Sequence, residues 1–250
     1  MGGTPKRRRR YRSGLSPAVD VQTSIDQVHT SHVAGRSGAA MKTVFLSASF
    51  PDPSREDESG PSFPSDIAAA AAATIEATLR ARARLLFGGH PTISPIVLNI
   101  ASMLNAGPQV TVYQSEYFRP QLTNEVQRLV EAEGASMIFT PAGDDRTSSL
   151  RVLRNEMLSE PIDVAFFIGG MSGIGDEYSA LLRQNQSLEC LTYQAPGGYA
   201  SKLRDLNDPT AAFDRSTRPV RVLQGRAYGS LALRALIDLG IGRPSPSNEL

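Results

Sequence analysis

The sequence predicts an α/β protein, with a parallel sheet flanked by helices on both faces. Three observations carry that prediction. From Met41 onward, short apolar runs alternate with longer segments of helical period. One run, Asp163 to Ile168, is nearly all apolar, as a strand covered on both faces must be. Small or glycine-rich residues follow four of the runs, where strands of such a sheet end.

The elements follow in order. The first strand is Thr43 to Ala48, and a loop rich in Pro, Ser and acid runs from Phe50 to Pro64. An alanine-rich helix spans about Asp66 to Arg82. Ile67, Ala71, Ile75 and Leu79 recur every four residues on one face, with Glu76, Arg80 and Arg82 off that stripe. Ala70 to Ala73 permit close packing on a sheet. The second strand, Arg84 to Phe87, runs into Gly88-Gly89-His90-Pro91-Thr92. Ser94 reads as the N-cap of the next helix, Pro95 as its first residue and Gly107 as its C-cap. The third strand is Gln109 to Tyr113. A helix of about Gln121 to Glu133 carries Leu122, Val126, Leu129 and Val130 on one face and ends at Gly134. The fourth strand is Ser136 to Phe139. The next helix runs to about Ser159 with Leu150, Leu153 and Met157 inward, and Pro161 stops it. The fifth strand is Asp163 to Ile168 and the sixth Leu188 to Tyr193. Tyr228 to Leu239 reads as a helix ending at Gly240. Right-handed crossovers place such helices on both faces of the sheet.

With 250 residues, 40% hydrophobic and 20% charged, the chain is of a size and composition to bury one sizeable core. We expect one domain at 41–243, a disordered basic tail at 1–40 and a frayed C-terminus at 244–250. No apolar run approaches the roughly 18 residues of a membrane span, so no membrane is expected as a partner. The net charge of +1 hides an asymmetry. Residues 1–40 carry +5, including the run Lys6 to Arg10, and the rest carries −4. The mildly acidic body argues against a nucleic-acid-binding face. The tail has three readings: an arm for nucleic acid or an anionic surface, a solvated tail, or a product of an upstream start codon assigned in error, since Met41 opens directly onto a strand. No signal peptide is recognisable, so the expected location is the cytoplasm. A single cysteine excludes an internal disulfide and a cysteine-based zinc site. Of His29, His32 and His90, only His90 lies in sequence that looks folded. We expect neither a metal nor a cofactor.

Ligands of parallel α/β sheets bind outside the carboxyl ends of the strands. Those ends carry Ser47-Ala48-Ser49, Gly88 to Thr92, Gly169-Gly170-Met171-Ser172-Gly173-Ile174-Gly175-Asp176-Glu177, and Ala195-Pro196-Gly197-Gly198-Tyr199. Glycine lets a backbone approach a ligand with its N–H groups, and a helix start beside it favours phosphate. Several such loops on one edge point to a phosphate-bearing ligand; the alternative is plain turn geometry. The fifth-strand loop lacks the Lys-Ser/Thr pair of a Walker A loop and fails the spacing of a dinucleotide fingerprint.

The run from Gly169 to Glu177 resembles the signature of the SLOG superfamily, which includes the LOG and DprA/Smf proteins and sensor domains of bacterial conflict systems. LOG proteins carry G-G-x-G-T-x-x-E. Here the interval from Gly173 to Glu177 is kept, one residue is inserted after the double glycine, and Ile174 stands where LOG has threonine. Phe45 to Pro51 and Phe87 to Thr92 are similar to the conflict-system sensor branch, and the likeness covers most of residues 41–195. The resemblance implies a Rossmann-like fold that binds nucleotides or nucleotide-derived signals, often as an oligomer. In LOG enzymes the matching glutamate, working with an arginine, hydrolyses the N-glycosidic bond of a nucleoside monophosphate.

The candidate ligand-binding residues are Ser47, Ser49, Gly88, Gly89, His90, Thr92, Arg119, Gly169, Gly170, Met171, Ser172, Gly173, Glu177, Gly197 and Gly198. Glu177 either contacts ribose and stabilises an oxocarbenium-like sugar, or is a first-turn acid favoured by the helix dipole. Asp176 fits the second role. His90 either contacts phosphate or a base, or makes a hydrogen bond where the chain enters its helix. Arg119, after Tyr117 and Phe118, offers a guanidinium for phosphate or is a solvated loop residue. Thr92 and Ser94 read first as helix caps. Cys190 reads as a buried packing residue. The function expected is a sensing module for a nucleotide or nucleotide-derived signal, acting in a bacterial defence system through self-association or a separate effector. The alternative is a LOG-type phosphoribohydrolase with Glu177 catalytic.

Overall fold

The computed structural model describes residues 40–55, 59–203 and 220–242. The expectations for the basic tail and for residues 244–250 lie outside them. Among the described residues seven strands form one sheet: β1 (Thr43–Ser49), β2 (Arg84–Phe87), β3 (Val110–Ser115), β4 (Ser136–Thr140), β5 (Val164–Gly169), β6 (Glu189–Tyr193) and β7 (Arg221–Leu223). Their order is β4-β3-β2-β1-β5-β6-β7, and every pair is parallel. Among the described residues six α-helices connect them: α1 (Pro64–Arg80), α2 (Ser94–Leu104), α3 (Asn124–Glu131), α4 (Arg146–Leu158), α5 (Gly173–Gln184) and α6 (Tyr228–Asp238). This is the Rossmann-like α/β architecture that the sequence predicts.

Side chains of a strand alternate between faces, so β1 builds two cores at once. Val44 and Leu46 join Ile67, Ala71 and Ile75 of α1, Val97 of α2, Leu129 of α3 and Ala232 of α6. Phe45 joins Leu153 and Met157 of α4 and Ile174, Tyr178 and Leu181 of α5. All six residues of β5 are buried, as its apolar run requires. Full burial of a side chain such as Ile67 or Ile75 contributes about 1.5–3 kcal/mol, an upper estimate. The small Ala70 and Ala71, both fully buried, let the α1 backbone approach the sheet.

Four local expectations are corrected. The N-cap of α2 is Ile93, not Ser94; Ser94 is the first helical residue, and its hydroxyl donates to the His90 carbonyl at 2.9 Å. Its C-cap is Asn105 in the left-handed region (φ 50°, ψ 41°), a role that asparagine also tolerates. Gly107 instead begins a tight turn where a Cβ would run into the Glu133 carbonyl. Helix α3 starts at Asn124 behind the cap Thr123, because Glu116–Gln121 winds as a 3-10 turn. Strand β7 was not expected: three residues are too short to show a period.

The strand ends also run further than their apolar patterns. β1 reaches Ser49, β3 Ser115, β4 Thr140 and β5 Gly169. A ladder is made of backbone groups and persists where side chains turn polar. The result is a polar carboxyl edge.

Candidate ligand site at the carboxyl edge

The chain builds the sheet outward from β1 through β4, then returns to place β5 on the other side of β1. The order reverses between β1 and β5, and ligands of open α/β sheets bind in the crevice outside the carboxyl ends of the strands at such a reversal. Ser49 pairs with Gly169 at its floor.

Ser47 lies two residues before the end of β1, on the same face as Phe45, toward α4 and α5. Its hydroxyl donates to Glu177 Oε2 at 2.5 Å. Arg154 of α4 places Nε 3.4 Å from Glu177 Oε1 and Nη1 3.1 Å from Asp176 Oδ2. Both Glu177 and Arg154 keep only about a fifth of their side-chain surface exposed, 19% and 21%. Burial pushes the Glu177 carboxyl above its ordinary value; the Ser47 hydrogen bond and the Arg154 charge oppose that push, and Asp176 adds to it. Glu177 is therefore not a first-turn dipole acid. It lies in the second turn of α5 and reaches across to β1.

The geometry explains the Gly173-to-Glu177 interval. A Cβ on Gly173 would sit 2.8 Å from Arg154 Nη2. Residues 173 and 177 lie one helical turn apart on one face, so the glycine admits the guanidinium that the glutamate then holds. Arg154 is the functional candidate that sequence reasoning missed. The signal was present: Arg154 follows Leu150 by four residues and precedes Met157 by three, a charge beside the inward stripe of α4.

Helix α5 begins without a side-chain cap. Among the described residues the amides of Met171, Ser172 and Gly173 have no backbone acceptor. Three successive amides at the start of a twelve-residue helix are thus left without a backbone acceptor, an arrangement whose partial positive charge suits an anion. Other glycine amides are spent internally. Gly170 N–H donates to the Ser49 carbonyl at 2.8 Å, Gly198 N–H to Pro61 at 2.9 Å and Gly197 N–H to Gln194 at 3.2 Å. The Gly197–Gly198 turn thus buttresses the site: a Cβ on Gly198 would lie 2.6 Å from the Gly169 carbonyl carbon. Met171 packs at the mouth, its Sδ accepting from Asp52 N–H at 3.5 Å.

On the β2 side, the Thr92 hydroxyl lies 2.9 Å from His90 Nδ1 and accepts from Phe50 N–H at 3.4 Å. Thr92 N–H also donates to Nδ1, at 3.3 Å. Nδ1 is therefore the acceptor of a neutral imidazole, and Nε2 carries the proton as an available donor. Desolvation first, and then the Arg146 charge, lower the His90 pKa; solvent still reaches the residue, which limits the first cause. Thr92 links two strand ends rather than capping α2. Gly88 and Gly89 lead from β2 into that turn, Gly89 in the left-handed region at φ 59°. Arg119 is drawn elsewhere: it pairs with Glu116 at 2.5 and 2.6 Å and lies 3.6 Å over the Phe139 ring. Cys190 is buried in β6, with its thiol pushed up to about 12 by burial.

The structure thus brings Ser47, Ser49, Gly169 to Gly173 and Glu177 together around the crevice, with His90 and Thr92 on its flank. A carboxyl of raised pKa, a guanidinium and a row of amides can bind ribose hydroxyls and phosphate. Among the described residues no helix is long and apolar enough to cross a membrane.

A family model described as the SLOG cluster3 family matches residues 62–219. The curated proteins contain no match to the chain.

Proposed function

The chain belongs to the SLOG cluster3 family, and on that premise we propose that it is a sensing module for a nucleotide or nucleotide-derived signal. One observation carries the reading. The Ser47–Glu177–Arg154 cluster stands beside the amides of Met171, Ser172 and Gly173, at the crevice between β1 and β5. Phosphate takes the amides and Arg154; ribose hydroxyls take Glu177 and Ser47. The module works in the cytoplasm as a homo-oligomer, and binding passes to self-association or a separate effector in a defence system.

A second reading has a specific observation behind it. The Arg154–Glu177 pair supplies the arginine and glutamate of a LOG-type phosphoribohydrolase, with Glu177 stabilising an oxocarbenium-like sugar. Ile174 weighs against it. Where LOG has a threonine hydroxyl, this chain has an apolar side chain buried against Gly170.

A thermal-shift panel of nucleoside monophosphates, cyclic nucleotides, ADP-ribose and NAD tests both, with each mixture then examined for products. A ligand at 100 times its Kd adds about 2.7 kcal/mol, roughly 5–11 °C for a domain of this size. A shift with intact ligand supports the sensor. Release of free base, abolished by Glu177→Gln, supports the hydrolase. No shift with any member refutes the nucleotide reading.

A further inference from the structure

Helices α1 and α6 pack on the sheet face opposite α4 and α5. Their outer side is therefore remote from the Ser47–Glu177–Arg154 cluster, and it carries an apolar groove of about 320 Å³. Ala73, Ala77 and Ala81 line one wall, and Gly229, Leu233 and Ile237 the other. Each trio recurs every four residues, so each forms one stripe along its helix. The small residues leave the room: a Cβ on Gly229 would meet nothing within 4 Å. Leu233 and Ile237 stand up beside the groove, 51% and 37% exposed. Six large apolar side chains are exposed among the described residues, and only these two share an element. Singly exposed apolar residues are normal on a protein surface, whereas an apolar pair beside an apolar groove marks an interaction face.

Volume and charge identify the occupant. An apolar cavity of about 150 Å³ holds one benzene-sized group, so the groove takes two branched side chains. Two are what the ridge of a second copy presents. Glu76 and Arg80 flank the groove on α1, and Arg234 and Asp238 on α6, all exposed. Two cations and two anions leave the face without net charge, so it offers no field to a basic or an acidic partner. Against its own copy the same set is complementary. A two-fold axis across α6 sets the two helices antiparallel, with Leu233 and Ile237 of each over the groove of the other. It also brings Arg234, which has no ion pair among the described residues, toward Asp238 of the other copy. Asp238 is paired with Arg221 at 3.1 Å and is exposed enough to take a second cation.

We propose that the chain forms a two-fold homodimer through this face, the Leu233–Ile237 ridge of each copy seated in the alanine-floored groove of the other. The inference rests on the homo-oligomer reading above and assigns it a surface. Because that surface is on the far side of the sheet from the cluster, each copy keeps its own crevice open.

Light scattering after size exclusion tests it on the full chain, over a concentration series with and without ADP-ribose. The expected wild-type mass is twice that of the chain. Leu233→Asp sets a carboxylate from each copy into the apolar contact and raises the dissociation constant at least about 30-fold, as loss of a central anchor does. Gly229→Gln is an independent probe. Glutamine favours a helix over glycine, yet its side chain fills the groove, so this variant also dissociates while its fold is kept. Tyr117→Asp, at an exposed ring on the carboxyl edge, leaves the dimer unchanged. A dimer that survives Leu233→Asp or Gly229→Gln, or that Tyr117→Asp breaks as readily, overturns the assignment while the homo-oligomer reading stands. A wild-type chain that stays monomeric throughout the series, with and without ADP-ribose, overturns both.

Discussion

Gly198→Ala separates a glycine kept for packing from one kept for a ligand. Gly198 sits at φ 69°, ψ −171°. That region is open essentially to glycine alone, and another residue held there costs about 1–3 kcal/mol. An added Cβ would also lie 2.6–2.8 Å from three backbone atoms of Gly169. These belong to the buried end of β5, which cannot swing away as a side-chain tip would, so overpacking adds about 1–3 kcal/mol. Together they predict a loss of roughly 2–6 kcal/mol. A domain of this size loses about 2–4 °C of Tm per kcal/mol, so the variant should melt at least about 4 °C lower. Gly225→Ala is the control: φ is +94° there, with nothing within 4 Å of an added Cβ. It should show the backbone strain without the clash and lose less. Thermal and urea denaturation of the three chains measure both effects. A Gly198→Ala chain melting with the wild type, with ligand binding lost, would refute the argument and return Gly198 to the site.

Other expectations concern charge and the core. Because burial raises the Glu177 pKa above its ordinary 4.5, its contribution to stability is complete below that pH and is lost as pH rises through the raised value. Urea titrations at pH 4 to 8 should show this loss in the wild type and a flatter profile in Glu177→Gln; parallel profiles would contradict the buried carboxyl. Thr74 lies 2.9 Å from the Tyr193 hydroxyl, and both are fully buried. Thr74→Val strands that hydroxyl and should cost about 1–3 kcal/mol, part of which Tyr193→Phe recovers in a double-mutant cycle; additivity would show that the bond contributes nothing. The Cys190 thiol, buried and pushed up to about 12, should resist a thiol reagent in the native chain and react at once in denaturant.

The layer architecture is legible in local sequence alone. The apolar run of β5 demanded cover on both faces, and the four-residue stripe of α1 supplied part of it. Both signals are local periods, and local periods survive folding unchanged. Local sequence also located the carboxyl edge, because small and glycine residues cluster where strands stop. The Gly173-to-Glu177 interval was legible as a motif, and the family match agrees with it.

What each motif residue does was decided by tertiary structure. Glu177 and Asp176 are neighbours in sequence, yet Glu177 turns inward to Ser47 while Asp176 stays at the surface, because successive helical residues face about 100° apart. Arg154 joins the site from another helix, 23 residues earlier, and only packing brings it to Gly173. Gly198 and Gly170 look alike on paper, but one braces the β5 backbone and the other accommodates Ile174. Arg119, with the right chemistry on the right edge, is held by Glu116 and Phe139. A side chain's chemistry is written in the sequence, whereas its partner is set by which elements the fold lays side by side.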